Sequence, residues 1–510
     1  MMLSVVPRCS ARPSLTITMP QLWAIACVAA IFIAMCLAVV RPHDFWWHVR
    51  VGEWIVENGR VPDRDLFSFT RAGEPFIYQM WLAEVVLSTL FRLGDLPLVI
   101  LFNAVLITTA YVLVLHTAYR KVGAYGLRWA AVATAATAAA GLHNWGVRPQ
   151  AFSFPLFAFT LWLLERNKDQ LGETDPTSFS FSRSFWLLPP LFALWANLHG
   201  GFMMGLALVS AYVLSSLQIS CCRRSRVPFI LLIIGVLCAN AVLLTPAGTR
   251  VMPYILSFVR HPVTQQFNVE WMPPTVRDSG GQFFFGFVIV WLTVLVLGRY
   301  RPNVHEILRY LVFGLLALTA VRHTSWFAIV AAPGLAAALT NLAGHFRTVG
   351  LGRQRANSRL NLVFIVAVFF IVLLSLPWLR MHLPLPEARR SYVSSETPLE
   401  AVGALCRLPD VGRVFHSEAY GSYLIWACPS IPVFLDTRFE LYPPEQWYDY
   451  IAVGRGRYDW ETILARYGIT TLFLERIKHQ SLIQAVSASQ KWECIYTDDR
   501  SMIFELRSRL

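Results

Sequence analysis

The chain has 510 residues, of which 55% are hydrophobic and only 15% are charged, and its formal net charge is +13. A soluble domain normally carries about 25% charged residues, so this composition excludes a water-soluble protein and indicates an integral membrane protein. The basic residues cluster in short loops between apolar runs, which is the pattern that sets membrane topology, and we therefore expect no nucleic-acid partner.

The first apolar run covers Gln21 to Val40 and is preceded by Arg8 and Arg12. It is too long for the apolar part of a cleavable signal peptide, and no small-residue cleavage site follows it. We predict an uncleaved signal anchor, preceded by a cytoplasmic tail at residues 1–20.

About eleven apolar runs approach the 20 or so residues that a membrane-spanning helix needs. They start near Gln21, Leu96, Leu127, Gln150, Phe185, Gly201, Pro228, Gln282, Glu306, Thr324 and Leu360. Together they predict an α-helical multi-pass membrane domain at residues 21–379, embedded in a plasma (inner) membrane and surrounded by its lipids.

Lys and Arg are concentrated in alternate loops, at positions Arg120, Lys121, Arg128, Arg166, Lys168, Arg223, Arg224, Arg226, Arg299, Arg301, Arg347, Arg353, Arg355 and Arg359. The positive-inside rule assigns these loops and the N-terminus to the cytoplasm. An odd number of spans then predicts that the C-terminus lies outside, together with two long loops at residues 41–78 and 248–281.

The first outer loop opens with a group of aromatic and ionisable side chains, His43-Asp44-Phe45-Trp46-Trp47-His48-Val49-Arg50. Its apolar residues recur at helical spacing, which predicts a helix from Phe45 to Asn58 that ends at Gly59. We expect this helix to lie in the membrane interface, with its tryptophans at the depth of the lipid headgroups.

From about residue 380 to residue 510 the composition changes to short strand-like runs between helical ones, which predicts a small extracytoplasmic α/β domain. The predicted strands are Arg413–His416, Pro432–Asp436, Ile469–Leu474, Trp492–Thr497 and Ser501–Leu506, and a helix is expected at Glu461–Tyr467. Of the cysteines in this domain, Cys406, Cys428 and Cys494, one pair could form a disulfide, and the sequence does not say which.

Asp44 is the first candidate for chemistry, because a carboxylate beside hydrocarbon normally has a partner or a function. It could deprotonate an acceptor or hold a divalent cation against a phosphate. It could equally be the N-cap of the helix that follows. His48 lies one turn later, so an Asp/His pair could share a proton or bind metal, although a histidine hydrogen-bonded at the interface is more common. Asp63 and Asp65 could share one cation, but after Pro62 a turn is favoured.

Two arginines lie in the shortest outer loops, Arg148 in one and Arg322, followed by His323, in the other. Arginine is suited to two-pronged phosphate binding, and its common alternative is to extend toward the interface. Glu270, beside a tryptophan in the second long loop, is a further acidic candidate, although such residues are more often ordinary loop residues.

The first loop resembles that of the C-type glycosyltransferase superfamily (GT-C), in particular the catalytic subunit of oligosaccharyltransferases and its archaeal relatives. In that family an Asp, aromatic residues, a His and an Arg open the loop, and a Gly, a Pro, an Asp and another Gly follow. The matching residues here are Asp44, Trp46, Trp47, His48, Arg50, Gly59, Pro62, Asp65 and Gly73.

The resemblance implies a sugar donor linked to a polyprenyl phosphate, with Asp44 as metal ligand or base and Glu270 as the later acidic residue. Mg²⁺ or Mn²⁺ would be the ion if a metal is used, with Asp44 and His48 as candidate ligands. The run from Ser417 to Leu424 and the run Phe434-Leu435-Asp436-Thr437-Arg438 also resemble the soluble domain of the family. Its Trp-Trp-Asp motif and its second acidic pair are absent here.

We therefore expect a membrane glycosyltransferase that acts at the outer face on an unidentified acceptor. Asp44 is the expected catalytic residue, and the expected substrate-binding residues are His48, Arg50, Arg148, Glu270, Arg322 and His323. The alternatives are a transporter, which should carry charges near the centres of its spans, and a non-enzymatic scaffold of a polysaccharide or lipid assembly system.

Overall fold

The structure is a computed structural model that describes residues 17–167, 183–221, 227–347 and 358–507. Most of the expected cytoplasmic tail lies outside the described residues. So do several of the basic residues on which the expected topology rests, namely Arg8, Arg12, Lys168, Arg223, Arg224, Arg226, Arg353 and Arg355.

Helices form the N-terminal three quarters of the described chain. They are α1 Met19–Cys36, α2 Asp44–Asn58, α3 Trp81–Gly141, α4 Ser153–Arg166, α5 Leu188–Leu198, α6 Phe202–Cys221, α7 Val227–Ala241, α8 Val251–Arg260, α9 Pro262–Phe267, α10 Ser279–Leu297, α11 Val304–Thr319, α12 Thr324–Arg347 and α13 Ser358–Leu374. Each of the eleven predicted apolar runs falls on one of these helices or on a short 3₁₀ turn that leads into one.

Among the described residues, four segments are long and apolar enough to cross a membrane, namely Met19–Cys36, Trp81–Asn144, Ser279–Leu297 and Val321–His345. Three further apolar helices, Phe202–Gln218, Pro228–Ala241 and Arg359–Leu374, are shorter. The chain is thus a helical membrane protein, whereas the count of eleven spans stays a prediction.

Helix α3 contains more than one predicted run. It has 61 residues, which would make a straight helix of about 90 Å, some three times the thickness of a membrane core. Non-helical backbone at Gly94, Asp95 and Gly123 divides it into three segments. Gly123 has a φ of 67°, a left-handed conformation that glycine adopts without steric cost.

Helix α2 packs against α3 and against the C-terminal region. Two of its tryptophans are buried, and the ring of Trp46 lies 5.0 Å from that of Tyr423 and 4.7 Å from that of Trp426. A side chain at Gly52 would collide with the backbone carbonyl of Glu84, so this glycine permits the close approach of α3. The expectation that its tryptophans lie among the lipid headgroups is therefore wrong for Trp46 and Trp47, because protein side chains bury them, whereas the position of the helix at the membrane interface stays a prediction. Its end at Gly59, which is left-handed, is confirmed.

The C-terminal region contains seven helices and one sheet. The helices are α14 Pro377–Arg380, α15 Glu387–Arg390, α16 Leu399–Cys406, α17 Glu418–Ala427, α18 Pro444–Gly454, α19 Trp460–Tyr467 and α20 Gln480–Ala488, and the strands are β1 Arg413–His416, β2 Ile469–Glu475, β3 Trp492–Thr497 and β4 Ser501–Leu506. The strand order is β1-β2-β4-β3, with β1 parallel to β2 and the other pairs antiparallel.

Four of the five predicted strands and the predicted helix are confirmed. The fifth strand, Pro432–Asp436, is wrong, because only Val433 pairs there, in a single bridge to Ser68 of the first loop. Cys406 and Cys428 form a disulfide and Cys494 is free, which selects one of the three pairs that the sequence left open.

The first loop is tied to the C-terminal domain by a buried arginine between two aspartates, which we call the Arg438 clamp (Asp65, Arg438 and Asp436). The Arg438 guanidinium lies 2.7 Å from Asp65 and 2.6 Å from Asp436, and the Tyr442 hydroxyl donates to Asp436 at 2.6 Å. One oxygen of Asp65 also accepts from the backbone and the hydroxyl of Ser68, so the predicted turn is present as well. These contacts join the first loop to the C-terminal domain.

Candidate functional site

Three turns and the start of α2 meet at one end of the helical domain. This is the end against which the C-terminal region packs. The turns are residues 142–148 after α3, residues 268–272 between α9 and α10, and residues 320–323 between α11 and α12. Val321 donates its backbone N–H to the carbonyl of Met272 at 2.9 Å, and the Asn144 amide donates to Ser325 at 2.7 Å. These contacts hold the three turns side by side.

Arg148 lies between two of the candidate carboxylates. Its Nη1 lies 3.4 Å from Oδ2 of Asp44, and its Nη2 lies 2.6 Å from Oε1 of Glu270. We call these three residues the Arg148 bridge. Their side chains remain 28%, 19% and 33% exposed for Asp44, Arg148 and Glu270, so the ion pairs are accessible from outside the protein.

The neighbouring charges shift the pKa values of Arg148 and Glu270. Burial lowers the pKa of Arg148, but the carboxylates of Glu270 and Asp44 outweigh that effect and hold this pKa above its usual value. Burial raises the pKa of Glu270, but Arg148 and Arg322 hold it below its usual value. The charged forms of Arg148 and Glu270 therefore persist at neutral pH.

Arg322 is the second cation beside this group. Its guanidinium stacks over the ring of Trp271, 4.6 Å from the ring centre. Trp271 directly follows Glu270 in the chain. Two nearby donors are buried and have no hydrogen-bond partner, namely Nε of Arg148 and Nε1 of Trp271. Buried donors normally have partners, so these two atoms and the two guanidinium groups indicate a site for an anionic ligand.

Asp44 is the first residue of α2 and not its N-cap. The N-cap position belongs to His43, and no side chain caps the helix there. The capping interpretation of Asp44 is therefore wrong, because its carboxylate turns toward Arg148. An acidic residue in the first helical turn is still favoured by the helix dipole.

His48 pairs with a residue that the sequence did not single out. Its Nδ1 lies 2.9 Å from Oε1 of Glu84 in α3, and both side chains are buried. Burial lowers the pKa of His48, an effect that outweighs the neighbouring carboxylate. The alternative in which His48 pairs with Asp44 is thus wrong, because each has another partner, and His48 is hydrogen-bonded, as the more common alternative had it. A carboxylate within the apolar run that opens α3 was the available signal for Glu84.

His199, in the turn between α5 and α6, is a further neighbour. Its Nδ1 accepts the backbone N–H of Gly201 at 2.9 Å and lies 2.8 Å from the Ser153 hydroxyl. Burial, with Arg322, Arg148 and His48 nearby, holds its pKa well below the usual value. His199 is therefore neutral, with its proton on Nε2, and Nε2 can donate a hydrogen bond.

Two of the expected substrate-binding residues have partners outside the bridge, although the ring of His323 packs edge-on against that of Trp271, next to Glu270, at 5.7 Å. Arg50 pairs with Glu53, one turn further along α2, at 3.0 Å. His323 turns back to α11, where its Nδ1 lies 3.1 Å from the carbonyl of Leu316 and 3.3 Å from the Thr319 hydroxyl. Of the residues predicted to bind substrate, only Arg148, Glu270 and Arg322 are thus grouped with Asp44.

The residues present fit a metal ion poorly. No three His, Cys, Asp or Glu side chains within the described ranges are grouped so that they could hold one. Asp44 and Glu270 are the nearest approach to such a group, and the guanidinium of Arg148 lies between them.

Comparison with solved structures identifies the fold. The oligosaccharyltransferase AglB from Archaeoglobus fulgidus, in complex with an inhibitory peptide and a dolichol-phosphate, aligns with a TM-score of 0.54 and 11% identity over 93% of this chain and 73% of AglB. The apo form of the same organism's oligosaccharyltransferase aligns with a TM-score of 0.53 and 12% identity over 93% and 72% of the two chains. The chain therefore has a GT-C fold, as the first loop implied.

ArnT from Cupriavidus metallidurans, bound to undecaprenyl phosphate, aligns with a TM-score of 0.49 and 12% identity over 95% of this chain and 97% of ArnT. No family model matches the sequence, and no curated protein matches it either. At these identities the likeness to the GT-C structures concerns the fold.

Proposed function

We propose that the chain is a membrane glycosyltransferase that moves a sugar from a polyprenyl-phosphate donor to an acceptor. The observation that carries the proposal is the Arg148 bridge, with Arg322 beside it and two buried donors without partners. Two neighbouring arginines, with the unpartnered donors of Arg148 and Trp271 beside them, are suited to a phosphate group.

The chemistry assigns a different role to each side of the site. Arg148 and Arg322 would bind the phosphate oxygens of the donor and stabilise the charge that develops as the sugar–oxygen bond breaks. The phosphate leaves with the bonding electrons, and the acceptor forms the new bond to the sugar. Asp44 would accept the acceptor's proton through Oδ1, since its Oδ2 faces Arg148.

The shared fold supports this proposal. AglB was solved with a dolichol-phosphate, and a dolichol-phosphate is a polyprenyl phosphate of the kind proposed here as the donor's lipid. Residues from four segments of the GT-C fold meet at the Arg148 bridge in this chain, at one end of the helical domain. A phosphate headgroup could reach them there while its lipid tail remains in the membrane.

The proposal also specifies topology and domains. We infer that residues 1–20 are cytoplasmic, that residues 21–379 form the membrane domain, and that residues 380–510 lie outside, so that transfer takes place at the outer face. The alternation of basic loops supports this orientation. Reporter fusions after Leu510 and within the segment 347–359 test it, and a cytoplasmic signal from the first fusion would refute it.

Donor consumption tests the activity without knowledge of the acceptor. Liposomes with the purified protein receive polyprenyl-phosphate-linked hexose or pentose carrying a radiolabel, together with a cell-envelope extract as the source of acceptor. Wild type should release label from the lipid, and Asp44→Asn should reduce that rate at least about 100-fold, the lower range for general-base catalysis. The matched control is Asp63→Asn, which neutralises an exposed carboxylate of the same loop and should retain the wild-type rate.

The remaining outcomes separate the alternatives. Equal rates for wild type and Asp44→Asn would leave Asp44 without a catalytic role. If wild type binds the lipid donor but never releases label with any extract, the chain is a scaffold and not an enzyme. Movement of intact donor across the liposome bilayer would instead identify a transporter.

A further inference from the structure

The two partly exposed carboxylates of the site, Asp44 and Glu270, are already paired with a cation, the Arg148 guanidinium. In the Arg148 bridge each terminal nitrogen of one guanidinium faces a different carboxylate, Asp44 on one side and Glu270 on the other. The resemblance to oligosaccharyltransferases gives the first-loop Asp as a metal ligand or as a base, and the first of these roles would place a metal here. The geometry here disagrees with that implication.

The available ligands also disagree with a divalent cation. Mg²⁺ prefers about six oxygen ligands and is usually held by one or two carboxylates together with water and substrate phosphates, so the carboxylate oxygens have to be open to the ion. Here one oxygen of each converging carboxylate already contacts Arg148. His48, the other expected ligand, faces Glu84 through Nδ1 and is buried.

Charge balance gives the same result. The two negative charges of Asp44 and Glu270 are matched by the two positive charges of Arg148 and Arg322. A divalent cation placed between the carboxylates would lie against two fixed guanidinium groups, without the excess of negative charge that normally attracts it. The site is thus neutral before any ligand arrives.

We propose that Arg148 takes the place of the divalent cation, so that the wild-type site neither binds nor needs one. The two carboxylates hold the guanidinium in position to face an incoming phosphate. This inference rests on the proposed function for the identity of the ligand, but metal binding itself is measured without any transfer reaction.

The test uses Mn²⁺ as the probe and electron paramagnetic resonance of free Mn²⁺ as the readout, on full-length protein in detergent. Wild type should show no stoichiometric binding. Arg148→Ala removes the cation and leaves two carboxylates with one arginine, so it should bind Mn²⁺ at least about tenfold more tightly than wild type, since affinity follows the charge of the ligands. Arg148→Ala with Glu270→Gln removes one of those ligands and should lose the gain.

Arg148→Lys is the matched control, because it keeps a positive charge at the same position and should bind Mn²⁺ no better than wild type. A second measurement uses wild type alone, so that the test does not depend on the folding of any variant. The melting temperature of wild type should be the same in EDTA and in Mn²⁺, since a bound metal would stabilise the folded state.

Stoichiometric Mn²⁺ binding by wild type that is lost in Asp44→Asn would overturn the proposal. Binding by Arg148→Ala that is as weak as in wild type would overturn the claim that Arg148 occupies a cation's place. A wild type that transfers no sugar would refute the glycosyltransferase proposal and leave the Mn²⁺ result unaffected, so the two failures are distinguishable.

Discussion

The Arg438 clamp and the Arg148 bridge have the same composition, one arginine between two carboxylates, in two different environments. The side chains of the clamp are at most 1% exposed, whereas those of the bridge are between 19% and 33% exposed. The clamp arginine uses three of its nitrogens, with Tyr78 as an additional partner, and the bridge arginine has a buried Nε without a partner. Composition alone therefore does not distinguish a structural ion group from a functional one.

The clamp and the bridge differ in how many of their hydrogen-bond donors and acceptors have partners. A buried ionic group is stable only when nearly every donor and acceptor has a partner, and the clamp meets that condition with hydrogen bonds from neighbouring side chains. The bridge leaves donors without partners beside partly exposed side chains. We infer that the clamp positions the first loop and that the bridge binds the ligand, and this contrast can be tested from both sides.

Removal of the clamp arginine should have the largest effect. Arg438→Met leaves two buried aspartates without a cation, and breaking a buried ion pair in this way costs about 3–5 kcal/mol. We expect little folded protein, measured as the monodisperse fraction in fluorescence-detected size-exclusion chromatography. A normal yield with a wild-type melting temperature would contradict the assignment of the clamp as structural.

The same substitution in the bridge should leave the fold intact. Ion pairs with partly exposed partners contribute about 0–1 kcal/mol, so Arg148→Met should melt close to wild type. Its rate of donor consumption should fall at least about 100-fold, as expected when one fixed donor to a developing negative charge is lost. If Arg148→Met destabilises the protein as strongly as Arg438→Met does, the contrast between the two groups fails.

A smaller effect is expected from Arg322→Lys. Lysine keeps the charge but cannot offer two parallel donors, so donor affinity should fall by about tenfold, with a larger loss in Arg322→Ala. Saturation of the rate with a polyprenyl-phosphate sugar measures this order, and Arg148→Lys should show a smaller loss than Arg322→Lys. Equal donor affinity in wild type and both Arg322 variants would mean that this arginine only anchors its turn.

Acid should reveal the smallest difference. The folded-state pKa values of Asp436 and Glu270 are both below their usual values, because arginines outweigh the effect of burial. Their stabilisation is therefore present at neutral pH and is lost as the pH falls below roughly 4. Since Glu270 is partly exposed, Glu270→Gln should change this acid dependence by less than about 1 kcal/mol. A pH series of melting temperatures provides the measurement, and a larger change would place Glu270 among the structural carboxylates.

Local patterns in the sequence predicted the elements well. The end of α2 at Gly59 and the strands β1, β3 and β4 follow from residue preferences over a few positions. The number of spans stays a prediction, because some apolar runs merge into one long helix and others form helices shorter than a membrane span needs. Length and hydropathy alone do not separate a helix that crosses a membrane from one that packs inside the bundle.

Long-range pairing was the part that the sequence could not supply. Arg148 and Arg322 were predicted from their short loops, Asp44 and Glu270 were predicted in the two long loops from their chemistry and from the family resemblance, and the structure brings the four together. The sequence did not predict, however, that Arg148 would lie between Asp44 and Glu270. Nor did it predict the burial of His48 against Glu84. An arginine beside two distant carboxylates leaves no local pattern, and the roles of all these residues in catalysis stay predictions.

The contact between the indole of Trp47 and the hydroxyl of Thr437 joins residues 390 positions apart. The first loop is synthesised early, yet Trp46, Trp47 and Asp65 gain their contacts to Tyr423, Trp426, Thr437 and Arg438 only when the final fifth of the chain has been made. A truncated chain that ends before Asp436 would contain Asp44, Arg148, Glu270 and Arg322 and still lack the support for the loop that carries Asp44. Packing of the first loop is therefore among the last steps in forming the site, because it waits for the C-terminal domain to be synthesised.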